Sequence, residues 1–208
     1  AYFSSELRSA ALQADVKLLT AEASPFLAVV APVENHGVNV THKHAALKAF
    51  GTVAVGRERF VLDGGMGGLD FTHGLLARET AWRWGFACGR LADGTPFGFN
   101  LVEGFNEARD DVNENALWVG TRCLPLGRAR FEWNKRDLLE RWSVRTVDGA
   151  LDLTFAPIAV HRELRNLGLV QSHFQQPVGL WSGTVRIDGT AVPISAIPGV
   201  TEDQRVKW

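Results

Sequence analysis

The chain has 208 residues, 46% of them hydrophobic and 22% charged, with 22 Lys+Arg against 23 Asp+Glu and a formal net charge of -1. That balance argues against nucleic acid as a partner, because phosphate binders usually carry a basic excess. The longest nearly apolar run, residues 25–33, falls far short of the ~20 residues of a membrane helix. A chain of this length buries roughly 70% of the surface its unfolded form exposes, so it needs neither disulfides nor a structural metal. Cys88 and Cys123 accordingly read as reduced thiols. With no charged-then-apolar segment opening the sequence, a soluble cytoplasmic protein is expected.

In chain order, residues 4–13 carry the first of two short helical patterns. Residues 26–33 and 38–47 read as strands, and 50–55 with 59–62 flank Gly56 as a further pair. Gly64-Gly65-Met66-Gly67-Gly68 interrupts this pattern and is expected to be a lobe boundary or hinge. It does not read as a phosphate loop, since neither Lys-Ser/Thr nor a helix follows. Three Asp-Gly pairs, Asp93-Gly94, Asp148-Gly149 and Asp188-Gly189, each lie between runs of strand composition. Such pairs suit two-residue hairpin turns, where positive φ is required. Hairpins are therefore predicted for 80–91 with 96–103, for 142–147 with 150–156, and for 179–187 with 190–197. A fourth turns at Gly120-Thr121, joining 115–119 to 122–126, and the second helical pattern covers 135–140. Many short strands at regular turn spacing predict an all-β, antiparallel barrel, because closing a meander of hairpins removes its exposed edges.

Alternation along the strand after the glycine break sends Trp82, Trp84, Phe86 and Cys88 to one face. Ala81, Gly85, Ala87 and Gly89 go to the other. The next strand places Phe97, Phe99 and Leu101 opposite Gly98 and Asn100. These aromatics read either as a packed barrel core or as a wide cavity. In the second reading Trp82, Trp84, Phe86, Phe97 and Asn100 contact a hydrophobic ligand. Asp70 and His73, three apart after the break, are the candidate catalytic pair, because a carboxylate near an imidazole raises its basicity. The alternative for them is a polar turn with an exposed His.

His42 and His44, two apart on a strand, would leave from one face as metal ligands do, or simply face solvent. The Glu that a cupin-type metal motif places downstream is replaced by Ala45-Ala46-Leu47-Lys48, so no metal is expected. Residues 103–107 and 113–115 are rich in carboxylates and amides, the one segment suited to a glycosidase-like carboxylate pair. Glu202 and Asp203 form a polar corner after Pro198-Gly199, and Glu202 is a candidate ligand contact. A Gly-x-Ser-x-Gly elbow is absent, and neither cysteine has a His nearby in sequence, so nucleophilic hydrolysis has little support.

Several segments occur in an order that resembles a known family. They are Thr41-His42-Lys43, Gly51-Thr52-Val53-Ala54-Val55-Gly56, Asp70-Phe71-Thr72-His73-Gly74, Trp82-Arg83-Trp84 and Asn100-Leu101. Then follow Glu114-Asn115-Ala116-Leu117-Trp118-Val119, Leu153-Thr154-Phe155-Ala156-Pro157 and Gly199-Val200-Thr201-Glu202-Asp203. Together, from about Val38 to Trp208, they look like a bacterial family of unknown function with a lipocalin-like β fold. More distantly, that family is similar to the carotenoid 1,2-hydratase superfamily, with its two lipocalin-like lobes back to back. Asp70 matches the Asp of the superfamily's Trp-x-Asp-His-Glu signature, and Trp82, Trp84, Asp93 and Gly94 match its second-lobe strand and turn. Phe71 and Thr72 stand where that signature has His and Glu, so its active site is not carried over.

The resemblance implies a partial first lobe over residues 1–74 and a lipocalin-like barrel over 75–208. The expected function is binding of a hydrophobic small molecule, lipid- or isoprenoid-like, in an aromatic-lined cavity, without a cofactor. The alternative is a hydratase, isomerase or cyclase that acts on such a ligand by proton transfer. A carbohydrate-active or metal-dependent barrel is the third reading, and the oligomeric state stays open.

Overall fold

A computed structural model describes residues 2–9, 11–20, 25–33, 37–107 and 112–208. One sheet holds β1 (Tyr2–Arg8), β2 (Leu12–Leu19), β3 (Leu27–Val33), β4 (Gly37–Val55), β5 (Glu58–Val61) and β6 (Gly65–Gly74). The second holds β7 (Glu79–Arg90), β8 (Pro96–Glu103), β9 (Ala116–Val119), β10 (Arg122–Pro125) and β11 (Ala129–Glu132). It continues with β12 (Trp142–Thr146), β13 (Leu151–Asn166), β14 (Gln171–Ile187) and β15 (Thr190–Lys207). Every pairing is antiparallel.

The 19-residue β4 is the spine of the first sheet. Along one edge it pairs with β3 and then β2, and along the other with β6 and then β5. The second sheet runs β10-β9-β8-β7-β15-β14-β13-β12-β11, a meander whose first and last strands, β7 and β15, lie side by side. Its two edges, β10 and β11, are consecutive in the chain. The barrel therefore winds as an up-and-down lipocalin-like meander and stays open at one seam, with no ladder joining β10 to β11 among the described residues. Near that seam Glu103 at the end of β8 accepts the backbone N–H of Phe131 at 3.2 Å.

The Asp-Gly turns form where they are predicted, with Gly94 and Gly189 at φ of 84° and 81°. Neither predicted helix forms. Residues 4–13 belong to the β1–β2 hairpin, residue 10 lying outside the described residues; ladder pairs such as Tyr2↔Leu19 satisfy its backbone. In 135–140 the Asn134 and Asp137 side chains accept the amides of Arg136 and Leu139, both at 2.9 Å. Local side-chain bonds of this kind compete with helix formation, and six residues are too few to nucleate one. The hairpin of β13 with β14 was not foreseen, because Leu167-Gly168-Leu169-Val170 lacks a standard polar turn pair.

The concave face of the second sheet is filled. Trp181, Phe99, Phe155, Trp142, Leu117 and Leu153 are all fully buried there, and Phe99 and Phe155 pack on Trp181 at 5.1 and 4.8 Å. Gly85 belongs to this side, since a Cβ there would lie 3.1 Å from the Trp181 ring. The expected cavity inside the barrel is thus a packed core. Phe97 is fully buried within it, because alternation on β8 turns Phe97, Phe99 and Leu101 inward. It is no part of a ligand wall.

The first sheet lies across the opposite face of β7, β8 and β9. Here the glycine-rich stretch is strand rather than hinge, since Gly65–Gly68 begin β6. A Cβ at Gly68 would come 2.1 Å from Cζ of Phe86, and one at Gly98 would come 2.7 Å from Cβ of Ala45. These glycines let the two sheets approach closely, a role in which flexibility has no part.

Candidate functional site

Alternation on β4 points Asn39, Thr41 and Lys43 toward the second sheet, while Val38, Val40 and His42 face away. On β6 the ladder sets Asp70 opposite Lys43 and Thr72 opposite Thr41. The Lys43 Nζ donates to Asp70 Oδ2 at 2.6 Å and lies 3.2 Å from Glu114 Oε2. The Thr41 and Thr72 hydroxyls are 2.9 Å apart. The Lys43 and Glu114 side chains are only 7% and 1% exposed, whereas that of Asp70 is 39% exposed. Asp70 is thus the member of the cluster that solvent or a ligand reaches.

The facing wall comes from β7 and its neighbours. Trp82, Trp84 and Phe86 are half-buried between the sheets, with the Lys43 ammonium 5.9 Å from the Trp84 ring centre and Phe86 stacked on Trp84 at 5.6 Å. The Trp84 indole donates to Asn100 Oδ1 at 2.7 Å, and Asn100 Nδ2 donates to the Glu114 carbonyl at 2.6 Å. Asn100 therefore couples the aromatic wall to the segment that carries Glu114. The Glu114 side chain accepts from Asn106, whose amide also donates to Asn39 Oδ1 at 3.0 Å.

Glu202 stands opposite Trp84 in the β15–β7 ladder. Its two oxygens accept from the Trp82 indole at 2.7 Å and from the Gln176 amide at 3.0 Å. Burial raises its pKa above the ordinary carboxylate range; the Trp82 and Gln176 bonds pull the other way and do not cancel it, and the Asp70 charge raises it further. Glu114 is raised too, again chiefly by burial, against the lowering influence of Lys43 and Asn106. Asp70 and Glu114 thus flank Lys43, and Glu202 lies near enough to feel the charges of Asp70 and Lys43. Burial and the nearby Asp70 charge both favour the protonated forms of Glu114 and Glu202.

Cavities extend from both ends of this cluster. One, of about 470 Å³, is bordered by Asn39, Thr80, Phe105 and Asn106. The other, of about 540 Å³, is bordered by Met66, Phe86, Cys88, Pro198 and Val200. Asn39 Nδ2 and Gln204 Oε1 are buried beside the site without a hydrogen-bond partner. Unpaired polar atoms in a native interior call for a bound water or ligand group.

The structure brings Asp70, Trp82, Trp84, Phe86, Asn100 and Glu202 together on the face between the two sheets. It separates Asp70 from His73. Three residues apart on a strand means opposite faces, so His73 lies on the exposed outer side, its ring 5.4 Å from Phe71. The acid/base pair read from their spacing does not assemble. His42 and His44 part as well: His42 sits between Phe26 and Phe71 on the outer face, while a bulge between His44 and Leu47 turns His44 onto Trp118 at 5.7 Å. Of the acids in the carboxylate-rich segment only Glu114 enters the site, together with the amide of Asn106. Glu103 goes to Arg130 and the Phe131 amide, and Glu107 to the Gly104 amide. Lys43 was missed, although polar Asn39, Thr41 and Lys43 alternate with apolar Val38 and Val40. Gln176 carries no local signal of its role.

No curated protein matches the chain. Among solved structures, kievitone hydratase from Nectria haematococca is similar, with a TM-score of 0.58 at 13% identity over 100% of this chain and 64% of that one. This chain therefore spans less than two thirds of that structure's length, and at such identity the likeness concerns the fold. No helix among the described residues is long and apolar enough to cross a membrane. The profile of a domain of unknown function, DUF2804, matches residues 2–208, and the chain belongs to that family.

Proposed function

We propose that the protein binds a hydrophobic small molecule, lipid- or isoprenoid-like, in the cleft between its sheets and acts on it by general acid/base proton transfer. The observation that carries this reading is Glu202, a buried carboxyl with a raised pKa, held by Trp82 and Gln176 beside an aromatic wall. A plain binding module has no use for buried ionisable groups, which cost stability unless they are paired. Here three carboxyls and a lysine cluster beside an aromatic wall.

In a hydration, protonated Glu202 gives its proton to one carbon of a substrate double bond. Water adds to the neighbouring carbon, and Asp70 accepts the proton that the water loses. Lys43 holds Asp70 in place, and Trp84 supplies a π face to a developing positive charge. Isomerisation or cyclisation uses the same donor and a different acceptor.

The test is to incubate the protein with a panel of isoprenoid alkenes and alcohols in oxygen-labelled water and to analyse products by mass spectrometry. The reading expects a labelled product or a rearranged skeleton. Glu202→Gln is expected to lower its formation by about 10²-fold or more, the usual scale for loss of a general acid, with ligand binding retained. His73→Ala should leave the rate unchanged. Retained activity in Glu202→Gln would remove Glu202 from the chemistry, and binding without turnover across the panel would return the cleft to a carrier role.

A further inference from the structure

The hairpin of β13 and β14 projects past the core and ends in Leu167-Gly168-Leu169-Val170. Leu164, Leu167 and Leu169 are 74%, 77% and 77% exposed, among the most exposed large apolar side chains of the described residues. Trp208 reaches the same end, since its amide bonds to the carbonyl of Arg78 and the Arg78 guanidinium donates to the carbonyl of Leu169. We propose that this apolar tip, with its surrounding arginines, docks the protein onto the surface of an anionic lipid bilayer.

Two independent features point to that occupant. Arg78, Arg165, Arg205 and Lys207 lie at this end of the sheet; Glu163 pairs with Arg165 and Glu79 with Lys207, which leaves an excess of cations there among the described residues. Cations flanking an exposed apolar tip, with a tryptophan at its border, match a bilayer whose anionic headgroups overlie an apolar interior.

The second feature is the turn's backbone. The Leu167 amide bonds to the Val170 carbonyl at 2.9 Å and the Leu169 amide to the Leu167 carbonyl at 3.1 Å. Asn166 Oδ1 accepts the Gly168 amide, Gln171 donates to the Gly168 carbonyl and Arg78 to that of Leu169. Most of the polar groups of this turn are bonded within the protein, which lowers the penalty that keeps ordinary loops out of an apolar medium. A turn built for water needs no such provision. The proposal stands apart from the chemistry of the cleft.

The test is co-sedimentation of the full chain with phosphatidylcholine vesicles, with and without phosphatidylglycerol. Binding is expected with the anionic vesicles and should weaken as salt rises. Leu167→Ser with Leu169→Ser should abolish it, whereas Arg165→Gln with Arg205→Gln should weaken it about 25-fold, on the scale of one basic residue at a charged surface for each change. Should the leucine pair variant fold poorly by circular dichroism, quenching of wild-type Trp208 by spin-labelled lipid, referenced to Trp208→Phe, reads the same contact. Equal sedimentation with neutral and anionic vesicles, or binding that survives the leucine changes in a folded variant, would overturn the proposal. So would a concentration-dependent dimer that the leucine changes dissolve in a chain that ignores vesicles, because a second copy would then cover the tip.

Discussion

Trp82 and Glu202, separated by 120 positions, meet at 2.7 Å across the β7–β15 seam, where the first and last strands of the second sheet join. The indole can only donate and the carboxyl accepts, so the bond holds one oxygen of Glu202 and leaves the acid oriented by the aromatic wall. Replacing Trp82 by Phe removes that donor while keeping most of the apolar surface. The expected result is a shift of the alkaline limb of the rate–pH profile toward higher pH, because Glu202 acts as a proton donor and a bond that favours its ionised form is lost. An unshifted profile would mean that Glu202 is not the titrating group.

The raised pKa values of Glu202 and Glu114 carry a thermodynamic signature. The native state holds protons that the unfolded chain releases at the same pH. The resulting stabilisation is complete below the unfolded carboxylate pKa and is lost as pH rises through the raised folded values. Thermal melts from mildly acidic to neutral pH should therefore show a declining contribution from each group, and Glu202→Gln should flatten that decline. Parallel curves for variant and wild type would contradict it.

Lys43 is expected to be a stability residue as well as a site residue. Lys43→Met leaves Glu114 buried without its cation, and breaking a buried pair costs about 3–5 kcal/mol when both partners are enclosed. Because the Asp70 end is 39% exposed, that half of the interaction is screened, and the expected loss is about 3 kcal/mol. Urea unfolding measures it, and a loss below about 1 kcal/mol would show that water already compensates the site.

Gly98 governs how closely the sheets approach. A Cβ there would lie 2.7 Å from both Cβ of Ala45 and the Ala87 carbonyl. Gly98→Ala is expected to destabilise by about 1–3 kcal/mol, as overpacking does. Adding Ala45→Gly should restore only part, since the backbone carbonyl remains. Full restoration would place the whole strain between the sheets.

Burial pushes the thiols of Cys88 and Cys123 up to about 11. Both are unpaired in the structure, in keeping with their reading as reduced thiols. At neutral pH little thiolate exists, so alkylation in the native state should be slow and should accelerate sharply on unfolding. Equal native and denatured rates would contradict the packing around both residues.

The turns, the antiparallel strand content and the alternation on β7 and β8 were legible in the residues alone. Each depends on local backbone preference and on the two-residue period of a strand, which act over a few positions. Asp70, Trp84 and Glu202 were picked out by type and by resemblance to known proteins, but the side on which they meet was not. Alternation sorts Trp84 from Gly85 without saying that the aromatic side meets the first sheet and the glycine side meets Trp181. It also hid the flaw in pairing Asp70 with His73, which became plain once residues 65–74 proved to be strand. Lys43 with Glu114, and Glu202 with Gln176, are brought together by sheet packing and by the β14–β15 hairpin. Their charge and burial arise only where distant strands meet, because desolvation and Coulomb interaction depend on distance in space and not on position along the chain.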